Sequence, residues 1–172
     1  PSRSDDERAT VRALLNEDSR CLVQVGDAKN LRRTLTLTAL LAELGVPMVL
    51  ALNMHDEAAA RGVTVDIAAL AQGLGIPVLA TVATSGEGIG ELTQSLGHAS
   101  RPHALLRYDP AIEAGIGRVA EAIARHAPHP RLAARGLAIL YLGGDAEVAA
   151  WLEEKAGDMF AVSAALAQRP AS

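Results

Sequence analysis

An α/β fold built on a parallel sheet, followed by a small all-helical module, is the architecture this sequence predicts. Three observations carry the prediction. Short apolar runs recur at Cys21–Val25, Met48–Leu52 and Val78–Val82, and segments with helical spacing separate them. Strands alternating with helices at such intervals form βαβ units, hence a parallel sheet with right-handed crossovers. After Gly97 only the helical spacing continues. A chain of 172 residues can bury one good core and a small appendage, and 49% hydrophobic with 21% charged residues is a globular composition. One Trp, two Tyr and one Phe leave the apolar quota to Ala and Leu, which favours helix-rich packing over a β-sandwich.

The elements follow in order. Ser4-Asp-Asp-Glu7 has the form of a capping box, with Ser4 as N-cap and Glu7 three residues on, and predicts a helix to about Leu15. Cys21 to Val25 reads as a strand that ends at Gly26-Asp27. Asn30 caps a helix through Leu44 whose apolar face carries Leu31, Leu35, Leu37, Leu41 and Leu44; Gly45 and Pro47 stop it. Met48 to Leu52 is the unbroken apolar run expected of a parallel strand buried on both faces. Glu57 to Arg61 is a short helix ended by Gly62, and Asp66 caps another from Ile67 to Leu74. Val78 to Val82 is the third strand, followed by a turn at Thr84–Gly88 and a helix from Ile89 to Leu96.

The character then changes. His98 to Arg107 reads as a linker, and Asp109-Pro110 opens a helix with Pro in its first turn and Ile112, Ile116, Val119 and Ile123 at helical spacing. Pro128 and Pro130 bracket a break before a helix from Leu132 to Leu142. Gly143-Gly144-Asp145 supplies a stop and a new N-cap, and helices at Val148–Ala156 and Phe160–Leu166 complete the chain. The division expected is therefore 1–97 for the α/β part, 98–107 for the linker and 108–172 for the helical module.

Charge and cysteine content exclude several classes. A net charge of −4 with scattered arginines argues against a nucleic-acid partner or an anionic membrane surface, because counterion release needs clustered cations. A single cysteine, Cys21, cannot form an internal disulfide; it reads as a core thiol in a reducing compartment. The stretch Ile67–Gly86 is uncharged, but Gly73, Gly75 and Pro77 divide it into a helix and a strand, so no membrane span and no signal peptide are read. The chain begins at Pro1 without a Met and is expected to be a fragment. His98, His103, His126 and His129 have no carboxylate or thiol at a ligand spacing and read as surface histidines, so no metal site is expected.

Function enters at the end of the central strand. The apolar run gives way abruptly to Asn53-Met-His-Asp56, just where ligands sit in an open α/β sheet, past the carboxyl ends of the strands. Asn-x-x-Asp is the base-reading pattern of GTP-binding proteins: the carboxylate accepts two N–H bonds from guanine and the Asn ties neighbouring loops together. The plain alternative is a helix N-cap after a strand. His55 is the variable position of the pattern and is not read as a general base, and Asp27 reads as a strand-end cap. A buried carboxylate left unpaired by the wrong base would discriminate by roughly 10⁴-fold.

Several strings recur together and in order: Asp27-Ala-x-Asn30-Leu-x-Arg33-x-Leu35, Leu44-Gly-Val-Pro47, Asn53-Met-x-Asp56-Glu57-Ala58, Gly62, Leu74-Gly-x-Pro77-Val78 and Thr81-x-Ala83-x-x-Gly86-Glu-Gly88-Ile89. As a set they resemble the cytosolic GTPase domain of the bacterial ferrous iron transporter B family over residues 4 to 97. The later helices resemble, less sharply, the helical regulatory domain that follows it there, with Gly144-Asp145 the best point of contact. The resemblance implies a P-loop GTPase-like sheet lacking its first strands. It implies that Asn53 and Asp56 read guanine, that Met54 covers the base where many GTPases have Lys, and that the backbone at Val82, Ala83 and Thr84 contacts the base oxygen. Ala83 matches the family's Ser-Ala, and Val82 replaces the Ser. Implied with these are GTP or GDP as ligand, Mg only in the full-length parent, and a membrane-embedded transporter part of the same parent chain as partner. A place on the cytoplasmic face of the inner membrane, a role in regulating Fe(II) uptake, and room for a homo-oligomer of the parent complete the picture.

Two motifs of that chemistry are missing from these residues. No Gly-x-x-x-x-Gly-Lys-Ser/Thr loop occurs, since neither Lys29 nor Lys155 follows a Gly, and no Asp-x-x-Gly occurs. Phosphoryl transfer depends on those parts, so the chain as given is not expected to hydrolyse GTP, and no catalytic residue is assigned. The other reading is a nucleotide-free α/β interaction or regulatory module derived from a GTPase. A ribosome-associated GTPase fits less well, because those usually carry Lys at the position of Met54.

Overall fold

The central strand decides what lies inside the sheet. The computed structural model describes residues 5–17, 20–103 and 106–157. The Ser4 cap and the Phe160–Leu166 helix lie outside the described residues, as does the side chain of Glu7. The elements are α1 (Asp5–Asn16), β1 (Leu22–Asp27), α2 (Leu31–Glu43), β2 (Met48–Asn53), α3 (His55–Ala60), α4 (Ile67–Leu74), β3 (Val78–Ala80), α5 (Ile89–Ser95), α6 (Pro110–His126), α7 (Ala134–Leu142) and α8 (Ala146–Ala156). The sheet is parallel in the order β1-β2-β3, with Leu22 beside Met48 and Leu50 beside Val78. Residues 48–52 of β2 are buried on both faces, as its unbroken apolar run requires. Leu50 and Leu52 join Ala28, Ala58, Leu74, Ile76 and Val78 in one core cluster.

The chain forms two compact units, Arg20–Leu105 and a second made from Pro1–Ser19 with Leu106–Ser172. The helix at the start of the chain, read from sequence as part of the sheet domain, packs on α8 instead. Its Val11, Leu14 and Leu15 are buried, and Arg12 forms a two-pronged pair with Glu147 at 2.6 and 2.7 Å. Residues 98–103, read as linker, are held within the sheet unit. Met48 N–H donates to Ser100 O at 2.9 Å, Ser100 Oγ donates to Gly75 O at 2.8 Å, and His103 N–H donates to Leu74 O at 2.9 Å.

Two faces differ from the expected pattern. On β1 the polar Gln24 is buried while Val23 and Val25 are exposed. On α2 the buried positions are Thr34, Thr38, Ala39, Ala42 and Glu43, and Leu37 is exposed. Both differences have one cause. Gln24 faces α2, donates to Thr34 O at 2.9 Å and accepts from Thr38 Oγ1 at 2.9 Å, so small hydroxyl residues rather than leucines meet the strand. Gly26 belongs to the same contact: a Cβ there would lie 2.2 Å from Thr34 Cγ2. A hydrophobic-pattern reading cannot see a satisfied polar contact of this kind. Cys21, expected in the core, is only half-buried.

In the helical unit Ile116, Val119 and Ile123 of α6 are buried as their spacing predicts, with Leu137, Val148, Trp151 and Leu152. Ile112, in the first turn of α6, is exposed. His129, read as a surface residue, is structural. Its Nδ1 accepts from the Arg131 and Leu132 amides at 3.1 and 3.0 Å, its Nε2 lies 3.1 Å from Leu15 O, and its ring sits 5.4 Å from that of Trp151. Asp145 caps α8 by accepting from the Glu147 and Val148 amides at 3.0 Å.

Two outcomes are expected. Gln24→Ala removes both of its contacts with α2, but the Thr38 hydroxyl keeps the Thr34 carbonyl as acceptor at 3.0 Å, so unfolding stability should fall by about 0.5–1.5 kcal/mol in urea titrations. In the helical unit, the two-pronged hydrogen bond from Arg135 and the Tyr108 amide hold Glu113 at a pKa of about 2, below its ordinary 4.5. A depressed carboxylate stabilises the fold above its unfolded pKa, and that contribution is lost as pH falls from 4.5 toward 2. Thermal melts of Glu113→Gln should show a shallower fall over that window than the parent chain.

Candidate functional site

The polar cluster after β2 is built by three strand ends meeting at one edge. Asn53 closes β2 in register with Asp27 of β1, and the chain leaving β3 is fastened to β2 by Thr81 N–H to Leu52 O at 2.9 Å. His55 N–H reaches back to Thr81 O at 3.3 Å. Asn53 then spans the gap: its Oδ1 accepts the Ala83 N–H at 2.9 Å and lies 3.5 Å from Thr81 Oγ1. The Asn therefore ties the two loops together and does not cap α3; the N-cap position there is Met54, with no side-chain cap bond.

Met54 is the one described non-Gly residue with positive φ, at 60°. Holding an L-residue there costs about 1–2 kcal/mol. That turn reverses the chain directly after the strand and leaves Asp56 in the first turn of α3, exposed and without a partner among the described residues. The carboxylate was expected to be buried; it lies open because, among the described residues, none packs over Asp56 in the first turn of α3. Water can therefore pair Asp56 when the wrong base is offered, and the discrimination expected drops to about ten- to hundredfold.

The loop after β3 is folded tightly. Val82 N–H donates to Glu87 O and Gly86 N–H to Val82 O, both at 3.0 Å, and the Val82 side chain is buried. Gly88 permits the closure: its φ is 76°, and a Cβ would meet Ala80 O at 2.2 Å. Of the three amides at Val82, Ala83 and Thr84, the first is committed to Glu87 and the second to Asn53, which leaves the Thr84 N–H open on an exposed loop.

Three residues at this edge make contacts that the sequence did not assign: Thr81 and Glu57, quoted there only within matching strings, and Lys29, at the variable position of Asp27-Ala-x-Asn30. Thr81 is buried beside Asn53, and Lys29 forms an ion pair with Glu57 at 2.7 Å next to Met54. The signal available for Lys29 was positional, two residues past Asp27. Asp27 is the strand-end cap expected, accepting the Lys29 N–H at 2.8 Å. No group of three or more His, Cys, Asp or Glu residues able to hold a metal occurs among the described residues, and no described helix is long and apolar enough to cross a membrane.

Comparison with known proteins places this edge in context. The family model described as ferrous iron transport protein B matches residues 1–96, and that of the FeoB cytosolic helical domain matches residues 108–169. The chain belongs to the ferrous iron transport protein B family. It is 36% identical over 167 residues to the Fe(2+) transport protein A/Fe(2+) transporter FeoB fusion protein of Porphyromonas gingivalis, covering 92% of this chain and 20% of that one. The chain thus spans about a fifth of the length of the curated relatives it matches. The cytosolic domain of L. pneumophila FeoB superposes with a TM-score of 0.76 at 28% identity, over 95% of this chain and 72% of that one. The cytosolic domain of the T. maritima FeoB iron transporter in GMPPNP form gives 0.75 at 26%, over 96% and 69%. The parallel sheet with flanking helices, followed by a helical module, is the fold of these domains.

Asn53→Ala should release the 82–88 loop. Amide exchange at Ala83 is expected to accelerate about five- to tenfold, since an internal hydrogen bond of about 1–1.5 kcal/mol is lost there, while exchange within β2 stays slow. Unchanged protection at Ala83 would show that the loop holds itself.

Proposed function

We propose that the sheet edge at Asn53–Asp56 and Val82–Thr84 receives the guanine base of GTP or GDP. The observation that carries this reading is the Asn53 bridge to Ala83, which brings the two loops together and leaves the Asp56 carboxylate and the Thr84 N–H open beside it. Asp56 accepts the two N–H donors of guanine, Met54 lies against the base, and the base oxygen takes the Thr84 N–H directly and the Ala83 N–H by sharing it with Asn53. Adenine offers no such donor pair. The relative in GMPPNP form supports a guanine nucleotide as the ligand class.

The whole protein, as in the Fe(2+) transporters this chain resembles, carries Fe(II) across the inner membrane, and this part lies on its cytoplasmic face. In this reading the sheet unit, Arg20–Leu105, senses the nucleotide, and the helical unit, Pro1–Ser19 with Leu106–Ser172, relays its state to the membrane-embedded part. Phosphate and Mg are held by elements of the parent that these residues do not include. Base and ribose contacts alone, about 20 heavy atoms at roughly 0.3 kcal/mol each, limit the affinity of this chain to tens of micromolar.

Competition binding tests the proposal. GDP should bind at least tenfold more tightly than ADP, and Asp56→Asn should weaken GDP while strengthening xanthosine diphosphate, whose extra carbonyl suits an amide donor. Equal affinity for ADP and GDP would sink the base-reading assignment and bring forward the nucleotide-free interaction module.

A further inference from the structure

Lys29 fills only the variable position of Asp27-Ala-x-Asn30, yet its side chain converges on Met54, the residue that in the reading above faces the base. Its own backbone is fixed first: Asp27, in register with Asn53, accepts the Lys29 N–H and closes the short turn at Ala28–Asn30. The side chain is mostly covered, 16% exposed, and its ammonium lies 2.7 Å from Glu57 Oε2 and 3.1 Å from Met54 Sδ. Glu57 in turn is 3.9 Å from Arg61, one helical turn on, so its carboxylate is drawn on from two sides. A methionine has three soft rotors and ordinarily samples many shapes. Here the turn at φ 60° sets its backbone and the Lys29 ammonium sets its sulfur, while 39% of the residue stays open to solvent.

We propose that Lys29 is a positioning residue of the base site: bridging Glu57 and the Met54 thioether, its ammonium holds Met54 as a ready platform for the guanine plane. The inference rests on the guanine reading above. A platform ordered before the ligand arrives removes the cost of ordering it on binding. The ammonium also supplies, from the end of β1, the positive charge that many GTP-binding proteins place at the motif position held here by Met54.

The test uses the chain labelled at its methionine methyl groups, followed by NMR during titration with GMP and, as a control, AMP. In the parent chain GMP should shift the Met54 methyl signal at lower concentration than AMP. Lys29→Ala should move that signal toward its rotamer-averaged position before any nucleotide is added, and weaken GMP by roughly five- to tenfold, the scale of one partly covered charged contact. Lys29→Arg, which keeps the charge but spreads it over a planar fork, should fall between the parent chain and Lys29→Ala on both readouts. Glu57→Gln should behave like Lys29→Ala, and the double variant should lose little more. Met48, buried in β2, reports whether the sheet is intact; where Lys29→Ala disturbs it, Glu57→Gln decides by the same criteria. GMP affinity unchanged in Lys29→Ala, or in Glu57→Gln where that variant decides, overturns the proposal and leaves the guanine reading standing. No preference for GMP over AMP in the parent chain overturns both.

Discussion

The burial of β2 governs how the rest of the sheet unit is arranged. The strand is covered on both faces from Met48 to Leu52, where a polar side chain would need a buried partner such as Gln24 has on β1, and these residues are apolar throughout. Polar chemistry is driven to the strand end, and there it collects within four residues, Asn53 to Asp56. The parallel order β1-β2-β3 adds the second half of the constraint. Parallel strands bring all their carboxyl ends to one edge, so Asp27, Asn53 and the chain leaving Ala80 arrive together without any long-range design beyond the βαβ connections.

What turns that edge into a site is the way its backbone groups are spent. Asn53 takes the Ala83 amide, Glu87 takes the Val82 amide, and the Gly88 turn presses the loop against Ala80. The loop is thereby ordered, and the Thr84 amide is what it leaves over. Strain is placed at the same spot, at Met54, and held by its neighbours on both sides: β2 before it and α3, with the Lys29–Glu57 pair, after it. A connecting turn would be served at lower cost by a glycine, so strain at Met54 fits the proposed recognition role better than a merely connecting one.

The helical unit obeys a different logic. Its core is the ordinary apolar face of α6, α7 and α8, but its first helix comes from the other end of the chain, and its fastenings are polar: the Arg12–Glu147 and Arg135–Glu113 pairs and the His129 ring. These contacts join segments far apart in sequence, 135 residues in the first case. Helical spacing predicts that a face will be buried; it says nothing about which partner covers it, and so α1 could be read as a helix but not assigned to its neighbours.

The sequence alone determined the kind of elements, their order, the parallel sheet, most of the caps, and the polar cluster at the end of the central strand, because each depends on local chemistry: an apolar run, a capping side chain, a glycine at a turn, a polar residue where burial stops. Asp27, Asn30, Asp66 and Asp145 cap where their side chains predicted. Tertiary structure decided what depends on a partner. Gln24 is buried and Val25 exposed because α2 offers hydroxyls at that spot; Asp56 is open rather than enclosed because no described residue packs over it; and the Ala83 amide is taken because Asn53 reaches it. Lys29 was silent in the sequence for the same reason. Its meaning comes from a sulfur and a carboxylate 25 and 28 positions away, and only the fold brings them to its ammonium.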